Sequence, residues 1–204
     1  MSIHPALKEH SGELAVIVGN LVAGTGAARD AFNRHSRSSM EEMRTLIRTA
    51  AQDLEAALKH LDVQMARKSP GEGAALKRLA SVYNRLQIIA QNLDALADPI
   101  HKKIKDGVLF SDKAVSQTNY LFDTQAGMLR SVLDIIKTDN EFLKRYTETE
   151  ARNLVQACNN FATEHETRLI EGLCLPQAAP LFLAILENMR MIGQHEAEIV
   201  QLLN

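Results

Sequence analysis

The sequence predicts an all-α fold, a six-helix bundle made of two tandem three-helix repeats, and three observations carry that prediction. The first is a seam of apolar or small residues near the end of the chain, at Phe182, Ile185, Leu186, Met189, Ile192, Gly193, Ile199, Val200 and Leu203. Steps of three and four place them on one side of a helix, with Glu196 as the one polar interruption. The second is that the same pattern occurs 103 residues upstream, at Leu79, Val82, Tyr83, Leu86, Ile89, Ala90, Leu93, Leu96, Ala97 and Ile100. The third is composition: 46% apolar, 4% aromatic, no Trp, and no stretch that alternates with the period of a strand. At 204 residues the chain can bury one sizeable core. A single domain over residues 1–204 is expected, with repeat one at about 11–107 and repeat two at about 108–204.

Residues 1–10 carry little pattern beyond Pro5 and read as a lead-in or a frayed helix start. The first helix shows Leu14, Ile17, Val18, Leu21, Ala28 and Phe32 on one face, with Gly19, Gly24 and Gly26 along it. A helical Gly costs about 1 kcal/mol relative to Ala, so close helix approach is the expected reason for these three. Gly24-Thr25-Gly26 is not a phosphate loop, because no strand precedes it and the rest of that fingerprint is missing. After the polar break Arg34–Ser38, Ser39-Met40-Glu41-Glu42 reads as a capping box. The second helix follows with Met43, Ile47, Ala50, Leu54, Leu58, Leu61 and Met65 in heptad spacing. Ser69 and Pro70 read as the cap and first position of the third helix, which carries the upstream seam and ends by Lys105-Asp106-Gly107.

Ser111 is positioned to cap the fourth helix. At an offset of 104, Ile17, Val18, Ala28 and Phe32 fall on Leu121, Phe122, Val132 and Ile136. Ala50, Leu54, Leu58 and Met65 fall on Leu154, Cys158, Ala162 and Leu169 in the same way. The last helix runs from Leu181 to Asn204 behind Pro180. The chain is written twice.

Bulk properties exclude several classes. A net charge of −2 gives no reason to expect nucleic acid. The basic run His101-Lys102-Lys103-Ile104-Lys105 reads as a solvated helix end that complements the dipole. The long uncharged runs near Leu14–Ala28 and Leu173–Leu186 are interrupted by Gly, Asn, Gln or Pro, so direct membrane insertion is not expected. No secretory signal opens the chain, and Cys158 and Cys174 lack metal spacing; a cytoplasmic protein with reduced thiols is expected.

Catalytic patterns are missing too. There is no Gly-x-Ser-x-Gly, and no motif pairs a Cys with a His. Cys158 falls on the fifth-helix seam and reads as a buried small hydrophobe, while Cys174 reads as packed against the bundle end. His165 takes the seam position of Leu61 and His195 lies just off the last seam, so both are candidate buried polar or ligand-contact residues. Asp98-Pro99-Ile100-His101 is the one Asp/Glu-x-x-His match, where a di-iron bundle would use two Glu-x-x-His pairs.

The third helix of the second repeat, Met189-Arg190-Met191-Ile192-Gly193-Gln194-His195, resembles the Leu-Glu-Arg-Ile-Gly-Asp-His motif of the PhoU family of phosphate-signalling proteins at Ile192, Gly193 and His195. The first-repeat copy keeps Leu86 and Ile89. Leu109-Phe110-Ser111-Asp112 and Leu169–Cys174 look more specifically like the PhoU-like cytoplasmic tail of bacterial sodium/phosphate cotransporters. The resemblance implies metal clusters held by acidic pairs four apart on each third helix. Here those positions are Gln87 and Gln91, and Arg190 and Gln194. Amides replace anionic oxygens poorly and an arginine repels a cation, so no metal and no cofactor are expected. What the resemblance leaves is a non-enzymatic regulatory or adaptor protein, contacting a membrane phosphate transporter or its signalling partner. The alternatives are a helical scaffold or homodimer unrelated to phosphate, and a small-ligand-binding bundle with His165 and Gln125 as its core polar groups.

Overall fold

The structure, a computed structural model, describes residues 4–67 and 70–204, and every regular element among them is helical. In chain order these are α1 (His4–Arg34), α2 (Arg37–Met65), α3 (Pro70–Ala95), α4 (Ala97–Lys105), α5 (Asp112–Thr138), α6 (Glu141–Ile170) and α7 (Ala179–Leu203), the last led in by a 3₁₀ turn at Pro176–Ala178. The expected third helix is present as α3 and α4, broken at Leu96. Pro99 explains the break: it has no N–H for the carbonyl of Ala95, and its ring crowds the turn before it. The Leu96 N–H bonds to Leu93 O at 3.2 Å, and the Ile100 N–H reaches Leu96 O at 3.3 Å.

The duplicated seam is the core. Leu79, Val82, Tyr83, Leu86, Ile89, Leu93, Leu96 and Ile100 are fully buried, as are Phe182, Ile185, Met189, Ile192, Ile199 and Val200. Apolar side chains from all seven helices form one contiguous cluster. Within repeat one, α1 packs on α2 and α2 on α3; within repeat two, α6 packs on α5 and α7. The repeats meet through matching helices, α1 against α5 and α3 against α7. By length and composition α1 could cross a membrane, yet its Leu7, Leu14, Ile17, Val18 and Leu21 are buried members of this core.

Local corrections have local causes. Of the two expectations for residues 1–10, a lead-in or a frayed helix start, the structure shows helix: α1 already runs from His4, and Ala6, Leu7 and His10 are buried. Leu7 stands two turns before Leu14 and extends the same face. The cap of α2 is Ser36, not Ser39: its extended backbone (φ −84°, ψ 115°) lets Oγ accept from the Ser39 N–H at 3.1 Å. Ser111 does cap α5, accepting from the Ala114 N–H at 3.4 Å. Ser69 lies outside the described residues.

Of the four glycines in α1, only Gly24 marks a close approach. A Cβ there would come within 2.9 Å of Ile47 Cγ1, whereas Gly19 and Gly26 face open space. Gly193 does the same job in repeat two, where a Cβ would meet Leu154 Cδ2 at 2.8 Å. Gly107 and Gly172 end α4 and α6 in the left-handed conformation, with Val108 N–H bonded to Lys103 O at 3.0 Å and Leu173 N–H to Arg168 O at 2.8 Å. Both connections lie at one end of the bundle, where Ser111 Oγ and Cys174 Sγ meet at 3.7 Å.

Candidate functional site

The positions singled out by sequence lie on α3 and α7. Gln87 and Gln194 are half-buried there, Gln91 is exposed, and Arg190 is half-buried. Arg190 is spent on its own helix: Nε and Nη2 donate to Glu187 at 2.9 and 2.6 Å, and these bonds hold the Glu187 carboxyl below its ordinary range. Arg85 Nε crosses from α3 to Glu198 Oε2 at 2.9 Å, and His195 Nδ1 meets the same oxygen at 2.8 Å. His195 is buried with that partner. The four positions thus carry three amides and an arginine already paired with Glu187. Among the described residues no three His, Cys, Asp or Glu side chains are placed to hold a metal ion.

One residue further along α7, Glu196 turns the other way and is fully buried. The Gln125 amide of α5 lies beside its carboxyl. Neither side chain reaches a hydrogen bond of ordinary geometry, so both oxygens of Glu196 and both polar atoms of Gln125 lack a bonded partner. Burial raises the Glu196 carboxyl well above its ordinary range, which favours the neutral acid. Sequence reading registered this residue only as an interruption of a seam.

His165 of α6 is buried at the opposite end of the second repeat, its ring tilted on Phe182 at 4.7 Å. No motif predicts a Cys–His pair, but the fold makes one: Cys174 Sγ lies 3.8 Å from His165 Nδ1. Burial, with help from the Arg168 cation, lowers the imidazole below its ordinary value, so it does not supply the positive charge that would activate a thiol. Cys158 is a buried core residue whose thiol is pushed up to about 12, mainly by burial. Burial at Cys158 disfavours the thiolate that a nucleophile needs.

The basic run on α4 is only partly a solvated end. Lys103 is buried, donates to Phe32 O at 2.9 Å, touches His35 Nε2 and lies over the Phe32 ring at 4.7 Å. Burial pulls its amine down to about 8. It ties α4 to the end of α1. At the same bundle end Leu109, Ile170 and Leu173 are exposed, and Leu175 is exposed beside a cleft of about 440 Å³ that it lines with Lys102, Asp106, Val108, Gln177, Pro180 and Leu181. Loop leucines carry no periodicity, so the sequence drew notice to Leu109, Ile170 and Leu173 only through the short stretches Leu109–Asp112 and Leu169–Cys174.

Two three-helix units packed through matching helices, with no catalytic constellation among the described residues, define the class: a duplicated helical bundle. The solved structure of PhoU from Pseudomonas aeruginosa has this fold, with a TM-score of 0.80 over 98% of this chain and 96% of that chain at 13% identity. The fold is therefore PhoU-like. No protein-family model matches the chain, and no curated protein matches it by sequence.

Proposed function

We propose that the protein is a non-enzymatic regulatory adaptor, one domain acting in the cytoplasm through contacts with a membrane phosphate transporter or its signalling partner. The observation that carries this reading is the fold likeness to PhoU along nearly the whole chain. It gains support from the resemblance of the Ile192-Gly193-x-His195 stretch to the PhoU motif, and from the burial that disfavours a thiolate at Cys158. The narrower likeness to the cotransporter tail rests on Leu109–Asp112 and Leu169–Cys174, which build the end of the bundle that exposes Leu109, Ile170 and Leu173. Exposed aliphatic side chains concentrated at one end suit a protein contact better than a solvated surface does. Affinity capture from phosphate-starved and phosphate-replete cells tests the reading. A transporter or sensor partner captured by the wild type and lost with Leu173→Asp supports it; no phosphate-dependent partner in either condition overturns it.

A further inference from the structure

Near the start of α1, three polar side chains from two helices form a chain of contacts. Tyr83 of α3 is fully buried, and its hydroxyl donates to Glu13 Oε2 at 2.7 Å. His10 Nδ1 meets the same oxygen at 3.2 Å. A carboxylate shared in this way accepts from Nδ1–H, and in that tautomer of the neutral ring the lone pair is on Nε2. His10 is 7% exposed, and Nε2 is buried with no hydrogen-bond partner. The neighbouring ring is His60 of α2, exposed, edge-on, with centroids 6.3 Å apart.

We propose that His10 and His60 bind a divalent transition-metal ion of the zinc class, with Glu13 and Tyr83 as positioning residues. An imidazole oriented by a carboxylate on its far nitrogen is the usual arrangement of a metal-bound histidine. A zinc ion about 2.1 Å from each nitrogen places two imidazole centroids roughly 5–6 Å apart. The separation here differs little from that, and the exposed His60 ring is free to close it. Its Nε2 makes only a 3.4 Å contact with the Gln64 amide, which an ion displaces. No third His, Cys, Asp or Glu among the described residues completes the set, so water fills the remaining positions.

Repeat two supplies an internal control. The equivalents of His10, Glu13, His60 and Tyr83 are Ala114, Gln117, Glu164 and Leu186. There Gln117 Nε2 donates to Glu164 Oε2 at 2.8 Å, and Arg168 donates to Gln117 Oε1 at 3.0 Å. Gln117 thus has a partner on each side, whereas in repeat one an imidazole nitrogen is left over.

Calorimetric titration of the full chain with Zn²⁺, and absorption of the Co²⁺-loaded form, test the site. One equivalent should bind, weakened at least tenfold by His60→Ala and by His10→Ala. Glu13→Gln should weaken it roughly tenfold through the orientation of His10, and His195→Ala should leave it unchanged. His60 is exposed, so its variant reads binding without threatening the fold. Absence of stoichiometric Zn²⁺, or full affinity in His60→Ala, overturns the proposal.

Discussion

In the first repeat, Leu14, Leu21, Met43, Leu61 and Leu93 are all buried. At the equivalent positions of the second repeat stand Thr118, Gln125, Thr147, His165 and Glu196, and these are buried as well. Helix register and chain topology therefore set which positions go inside, and the second repeat puts polar groups there regardless. The price is visible in hydrogen bonding. Thr118 donates back to Ala114 O at 2.8 Å, a bond available inside any helix. Thr147 Oγ1, His165 Nε2, and the polar atoms of Gln125 and Glu196 have no such outlet. Each unsatisfied buried group costs about 1–3 kcal/mol, so the second repeat is the weaker half of the core.

Moving the polar residue across should give the largest effect. Leu93→Glu places a carboxyl in an apolar site without even the neighbouring amide that Glu196 has, and should destabilise by about 3–5 kcal/mol or prevent folding. Urea denaturation measures it, and a loss below 1 kcal/mol would mean that repeat one tolerates polarity as readily as repeat two. The reverse exchange, Gln125→Leu with Glu196→Leu, should stabilise by about 1–4 kcal/mol, as replacement of buried polar groups by packed aliphatics commonly does. No gain would show that the pair finds partners in solution.

The pH dependence sharpens the same contrast at smaller cost to the fold. The folded protein holds a proton on Glu196 that the unfolded chain releases, because burial raises that carboxyl above its ordinary range. Stability should fall as pH rises from the ordinary carboxylate range to the raised folded value, and this contribution is level on either side. Glu196→Gln should flatten that slope in thermal melts across pH; an unchanged slope would assign it to another group. Smallest is the pair of close approaches. Gly24→Ala drives a Cβ against Ile47 Cγ1, near the stiff branch of that side chain, and should cost about 1–2 kcal/mol. Gly193→Ala meets the far end of Leu154, which can turn away, and should cost less.

What the sequence conveyed well was repetition. The seams at Leu79–Ile100 and Phe182–Leu203 gave the helices and their buried faces, because a period of 3.6 residues repeated over several turns is hard to produce by chance. Features set by single residues were harder to place. Ser36 and Ser39 both suit a cap, and only the backbone turn at Ser36 decides between them. The break at Leu96 comes from Pro99, which lies inside an otherwise unbroken apolar pattern. The sites were less legible still. His10 and His60 stand far apart in sequence and meet only because α1 and α2 are antiparallel neighbours, and Cys174 reaches His165 only because Gly172 turns the chain back.

The junction between the halves pairs each helix with its own counterpart, α1 with α5 and α3 with α7. That is the geometry of a two-fold dimer, here fused into one polypeptide by the short connection after Gly107. The connection contributes effective concentration rather than shape. Fusion also freed the two copies to diverge, as identical subunits cannot: one half could keep leucine at Leu21, Leu61 and Leu93 while the other took on amide, imidazole and acid at the matching places.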